Sequence, residues 1–147
     1  MMQSHHQFTR RKSFYLYLQI QIIQRVFAIL SSETKTEASM NQTVKAGEIF
    51  QLKDLVPYQD GKIVTMDIAS NGHMKFVVMA FDEGTGLSEH AAPGEAIVFA
   101  LDGEGIIGYE GKDYPITAGQ QFHFAKGGLH SVKADGRFKM ALLLVLD

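Results

Sequence analysis

Gly84-Thr-Gly-Leu-Ser-Glu-His90-Ala-Ala-Pro-Gly-Glu95-Ala-Ile-Val-Phe-Ala-Leu-Asp-Gly103-Glu-Gly105 is the segment around which the rest of the chain is arranged. A glycine-rich turn leads to a lone histidine, then a Pro-Gly corner, then an apolar run closed by Asp102-Gly103. Asp-Gly after an apolar run signals a tight turn, so strand Glu95–Leu101 is expected to pair with Gly105–Glu110. A later stretch echoes it: Gly119-Gln-Gln-Phe-His-Phe-Ala125-Lys-Gly127-Gly-Leu-His130. It too sets a histidine just after a glycine turn. The chain is thus expected to deliver two histidines, His90 and His130, from two separate β-hairpins.

Working outward, the pattern from Val44 onward is all-β. Gly47–Leu52 reads as a short strand, and Asp60-Gly61 as a turn between Val56–Tyr58 and the alternating run Lys62–Ala69. Asn71-Gly72 is a strong hairpin signal leading into Met74–Phe81. Beyond Gly105–Glu110, Glu110-Gly111, Ala118-Gly119, Lys126–Gly128 and Asp135-Gly136 separate the runs Lys112–Thr117, Gln120–Phe124, Leu129–Lys133 and Arg137–Leu146. About nine or ten short strands, with turn signals every 8–12 residues or so, are what sandwiches and barrels show. Helix-turn-helix, dinucleotide-binding and phosphate-loop patterns are absent.

Composition bounds the rest. The 147 residues suffice for one domain with a real core. A net charge of −2 offers nucleic acid no basic field. With no cysteine there are no disulfides, thiolate metal sites or cysteine nucleophiles, and only His, Asp and Glu are left as side-chain metal ligands. All 14 glycines and all three prolines lie in 40–147, and the charge splits into +3 for 1–39 and −5 for the remainder. Met40 therefore marks a boundary, with 1–39 an appendage and 40–147 the folded unit. Arg10-Arg11-Lys12 followed by Phe14–Leu30 raises the question of a signal or anchor. Gln19, Gln21, Gln24 and Arg25 break that stretch and make it a poor membrane span. It reads equally as a strand of alternating residues, Phe14–Ile22, and as a helix with Gln21, Gln24 and Arg25 on one face. Two readings of 1–39 stay open: a leader ahead of a start at Met40, or a segment that packs on a partner. The expected location is the cytoplasm.

Residues 45–146 resemble the cupin family, small antiparallel jelly-roll barrels (double-stranded β-helices) defined by two motifs. The second, G-x5-P-x-G-x2-H-x3-N, fits Gly119-x5-Ala125-x-Gly127-x2-His130, with Ala125 for the proline and Ala134 for the asparagine. The first, G-x5-H-x-H-x(3,4)-E-x6-G, fits loosely: His90 matches its second histidine and Gly103 its closing glycine. Ser88 stands at the first histidine, and the glutamate's place falls on Ala96, with Glu95 one residue early. His90-Ala-Ala-Pro-Gly resembles the H-x-A-P-G signature of a subgroup of small single-domain cupins.

The resemblance implies a metal centre of three histidines and one glutamate inside the barrel, suited to Fe, Mn, Ni, Cu or Zn. Of the family positions this chain keeps His90 and His130. Two imidazoles hold a metal weakly. Glu95 completes the set only if a bulge at Pro93-Gly94 turns it inward, since a one-residue offset reverses a strand side chain. His123 joins only if Phe122 and Phe124 face away from the core. Ser88, Met79, Phe99, Phe122 and Phe124 are the candidate lining of a small-molecule pocket at the barrel mouth. Ser88–His90 lacks a convincingly spaced carboxylate for a nucleophilic triad. Two functions remain open: a small-molecule-binding or weakly catalytic barrel with a depleted ligand set, and a metal-dependent oxygenase or isomerase on His90 and His130. A homodimer is expected, because the resemblance implies pairing through barrel edges or exchanged N-terminal strands. Phe14–Ile22 could cover an edge in trans.

Overall fold

The computed structural model describes residues 39–146 together with Gln21, and the expectations attached to 1–39 otherwise fall outside the described residues. Among the described residues eight strands run in order: β1 (Ser39–Met40), β2 (Ile63–Ser70), β3 (Met74–Phe81), β4 (Gly86–Ala91), β5 (Glu95–Tyr109), β6 (Lys112–Thr117), β7 (Gln121–Phe124) and β8 (Leu129–Val145). All pairings are antiparallel. No helix among the described residues is long and apolar enough to cross a membrane.

The long strands β5 and β8 make the barrel. Through residues 95–103 and 138–145 they pair with each other and join β1-β2-β3 on one side and β7 on the other. Through residues 104–109 and 130–135 they pair again, now flanked by β6 and β4. Between these halves both strands bulge. Ala100 pairs with Met140 and Asp102 with Lys139, leaving Leu101 extra on β5; Gly103 pairs with Phe138 and Glu104 with Asp135, leaving Gly136 and Arg137 extra on β8. Strands that bend at bulges pass from one sheet to the next, and the two layers close over a shared core. The fold is the expected jelly-roll barrel.

This corrects two of the expected turns. Asp102-Gly103 and Asp135-Gly136 do not end hairpins; they are the facing bends of continuous strands. Gly103 has φ +70, and a Cβ there would lie 1.9 Å from the Arg137 carbonyl oxygen. The true two-residue hairpin is Glu110-Gly111, between Tyr109 and Lys112, with positive φ at both residues (49 and 78), as a type I′ turn requires. The Asn71-Gly72 hairpin forms as expected, and Asn71 Oδ1 accepts the amides of His73 and Met74.

The interior cluster takes Val77, Met79 and Phe81 from β3, alternate residues of β5, and Val132, Phe138 and Met140 from β8. Phe76, Val78 and Ala80 of β3 face the other way, so this strand is apolar on both faces. What covers the outer face is the 44–58 segment, through Val44, Leu52, Leu55, Val56 and Tyr58. Gly47–Leu52 was expected as a strand and is not one, and Val56–Tyr58, ahead of the Asp60-Gly61 turn, is not a strand either. Apolar side chains at 52, 55 and 56 follow a single 3₁₀ turn, Leu52–Asp54, which suits a strap laid on a sheet rather than another ladder partner.

Polar contacts fasten this strap at the bend. The Tyr58 hydroxyl donates to Asp102 Oδ2 at 2.6 Å, Arg137 bridges Asp60 and Asp82 at 2.9 Å each, and Lys139 Nζ donates to the Lys53 carbonyl at 2.7 Å. Burial, then the Asp102 carboxylate, pushes the Tyr58 hydroxyl well above its ordinary range. The Gly61 amide and the Arg137 guanidinium hold the Asp82 carboxyl below the ordinary value. As pH falls below about 4 the unfolded chain binds this proton first, so Asp82 contributes stability above that pH and loses it in acid. Asp82→Asn is therefore expected to flatten the acid limb of a stability–pH curve. An unchanged limb would show that Asp82 is not among the groups that set it.

Candidate functional site

One cross-strand row defines the site: Tyr109 on β5 pairs with His130 on β8, which pairs with His90 on β4. A bulge brings His90 into the row. Leu87 pairs with Val132 and His90 with His130, so β4 spends one extra residue between them and sets both side chains on the inner face. Pro93-Gly94, where a bulge would have been needed to turn Glu95 inward, lies in the connection between β4 and β5; the register shift of β4 lies at Ser88-Glu89.

His130 is the buried polar residue of the described core, 5% exposed. Its ring stacks on Phe124, centroids 4.1 Å apart and planes within 17°, and meets the His90 ring at 4.4 Å and 58°. The His130 Nδ1 lies 2.9 Å from the Gly128 carbonyl and the His90 Nδ1 2.7 Å from the Ser88 carbonyl. A carbonyl can only accept, so each Nδ1 carries a proton and each neutral ring presents its lone pair at Nε2. No buried side-chain nitrogen or oxygen among the described residues lacks a partner, and the His130 ring bonds only through Nδ1, so its Nε2 opens onto accessible space. Burial, then the neighbouring His90, depresses the His130 imidazole below its ordinary value, while the Gly128 bond works the other way.

Phe124, the ring stacked on His130, belongs to a larger aromatic cluster. Phe124 packs on Phe122 at 5.4 Å, Tyr109 meets both at 5.5–5.7 Å, and Tyr114 of β6 meets Phe122 at 5.0 Å. Phe122, Phe124 and Met79 thus belong to the inner side. Phe99 does not: it packs on the outer face, in an apolar groove of about 420 Å³ with Leu52, Phe76, Leu101 and Leu143. Ser88 is exposed and serves the site through its carbonyl.

Glu95 and His123 are brought together, but not with His90 and His130. Phe122 and Phe124 face the core, so His123 faces out; Ala96 points inward, so Glu95 points outward, and the two form an exposed pair. Glu95 Oε1 also accepts the Lys126 amide at 3.4 Å. Among the described residues no three His, Asp or Glu side chains gather as a metal-holding group. Tyr109 and Tyr114 escaped the sequence reading, because only strand register shows which residue stands beside His130.

A family profile described as a cupin domain matches residues 77–146. The barrel is a cupin domain. Among solved structures, a cupin superfamily protein from Desulfitobacterium hafniense is similar at 18% identity and TM-score 0.70, over 74% of this chain and 100% of that one. A conserved protein of unknown function from Streptococcus pyogenes is similar at 22% identity and TM-score 0.70, over 74% and 96%. A cupin 2 conserved barrel domain protein from Leptotrichia buccalis shares 36% identity at TM-score 0.64, over 65% of this chain and 47% of that one. No curated protein matches the chain.

The metal that cupins often carry does not fit this donor set as a tight centre. Two Nε2 lone pairs are available, the first-histidine place is an exposed serine, and the glutamate place is Ala96, 2% exposed and incapable of ligation. Zinc-type sites use at least three protein ligands.

Proposed function

We propose that this cupin binds a small, flat molecule bearing a hydroxyl or N–H donor, and catalyses at most proton transfer on it. The observation that supports this is the pair of side-by-side imidazoles, each with Nδ1 bonded to a carbonyl, stacked through His130 on Phe124, with no third metal-ligating side chain gathered beside them among the described residues. His130, held neutral by burial, accepts a hydrogen bond from the ligand at Nε2. A proton taken up by one ring disfavours a proton on the other, so the pair acts as a single base. Phe122, Tyr109 and Tyr114 supply π-faces for a planar ligand. A second reading, a metal-dependent oxygenase or isomerase, draws support from the same tautomers, since metal-binding histidines also bond their other nitrogen to a carbonyl or carboxylate. Homodimerisation, with the edges of β4 and β6 left unpaired among the described residues, and a cytoplasmic location belong to the same proposal.

The test uses the full chain without a histidine tag. Phenol, flat and with one hydroxyl, is expected to shift the His90 and His130 imidazole resonances and leave His73 and His123 unmoved. His90→Ala/His130→Ala is expected to bind phenol at least tenfold more weakly. Undisturbed His90 and His130 would sink the binding reading. Near-stoichiometric Fe, Mn, Ni, Cu or Zn that the double variant loses would put the metal reading in its place.

A further inference from the structure

Glu110 sits where few residues other than glycine or asparagine are comfortable, at φ 49 in the first position of the type I′ turn. Its main-chain N–H donates to the Leu129 carbonyl at 3.0 Å, continuing the β5–β8 ladder one step beyond the Tyr109–His130 pair. In an antiparallel ladder the return bond would run from the Leu129 N–H to the main-chain carbonyl of residue 110. Here the Glu110 side chain takes that place, and Leu129 N donates to Oε1 at 2.7 Å. The Leu129 N–H and the Gly128 carbonyl belong to one peptide plane. That carbonyl accepts the His130 Nδ1 proton at 2.9 Å. A carboxylate, a peptide group and an imidazole therefore stand in line.

We propose that Glu110 is a positioning residue that fixes the tautomer and orientation of His130 through the Gly128–Leu129 peptide. A charged acceptor on the N–H holds the plane and polarises it, so the carbonyl on its other side becomes a stronger acceptor. This keeps the proton on Nδ1 and the lone pair on Nε2, facing accessible space. It also accounts for a glutamate at a position that favours glycine: glycine would relax the backbone and leave the Leu129 amide without its carboxylate. The inference rests on His130 as the working group of the site. Its readout needs no ligand, so it can fail while the binding reading stands, and the reverse.

The experiment is long-range proton–nitrogen NMR of the full chain, at a pH where His130 is neutral. The wild type is expected to show the Nδ1–H tautomer at His130. Glu110→Gly and Glu110→Asn both suit the turn, and asparagine is one methylene too short to reach Leu129. Both are expected to keep or raise Tm while the His130 nitrogen shifts move toward the average of two tautomers. Glu110→Gln, which retains Oε1 as an acceptor, is expected to restore most of the wild-type pattern. Unchanged His130 shifts in Glu110→Gly or in Glu110→Asn, whatever happens to Tm, would overturn the relay.

Discussion

Gly103→Ala is expected to lower the unfolding free energy by about 3–5 kcal/mol, the sum of left-handed strain and a backbone collision. The collision is specific: a Cβ would sit 1.9 Å from the Arg137 oxygen and 3.0 Å from its carbonyl carbon, neither of which can swing away like a side-chain tip. Gly136, on the facing bend, has φ +76 but open space around its missing Cβ. Gly136→Ala should therefore cost only about 1–2 kcal/mol, the strain alone. Denaturant titration of both variants against wild type reads the difference. Equal losses would mean that the close approach of β5 to β8 is not what requires glycine at 103. Against the 5–15 kcal/mol or so of an ordinary domain, a loss at the top of the range would leave little of the barrel folded at 37 °C.

The same two glycines show where the sequence was legible and where it was not. Strand positions, the all-β class and the motif spacings follow from alternation and turn residues, which are local. Whether Asp-Gly closes a hairpin or bends a strand is not local. A glycine at positive φ serves a type I′ turn and a bulge equally well. The choice falls to partners far off in the chain: Gly105–Tyr109 pairs with β6 and with the start of β8, and Asp102 is drawn to Tyr58 on the strap. Glu110-Gly111, a weaker hairpin signal than Asp-Gly, became the hairpin because Tyr109 and Lys112 stand opposite each other in the ladder.

The site divides in the same way. His90 and His130 were readable because glycine spacing places them, and the structure sets them in one row. Glu95 and His123 were ambiguous because side-chain direction along a strand depends on a bulge. That bulge lies at Ser88-Glu89, so His90 turns inward while Glu95 keeps its outward register opposite Val145. Tyr109 and Glu110 carry no motif. Their importance arises from pairing with His130 and Leu129, about twenty residues on, which alternation within one strand does not encode.

Phe124→Ala is expected to cost about 3–5 kcal/mol and, at the same time, to return the His130 imidazole toward its ordinary value near 6.5. Phe124 is 1% exposed, and its ring lies flat against His130, so truncation opens a cavity that hydrates the imidazolium. The stability cost alone would be shared by any large core residue; the titration is what ties Phe124 to the site. The sign follows from burial. In the wild type the folded His130 resists a proton that the unfolded chain accepts, so stability declines as pH falls from about 6.5 toward the lowered folded value. In Phe124→Ala that slope should shrink, because folded and unfolded chains then bind the proton at nearly the same pH. Phe124→Leu keeps most of the bulk but not the flat face, and should shift His130 in the same direction by less, at a stability cost of about 1 kcal/mol. Titration of the His130 ring by NMR in all three proteins decides the matter. An unmoved His130 in Phe124→Ala would assign its depressed value to the remaining neighbours, His90 above all, and take from Phe124 any part in keeping the imidazole neutral for a ligand.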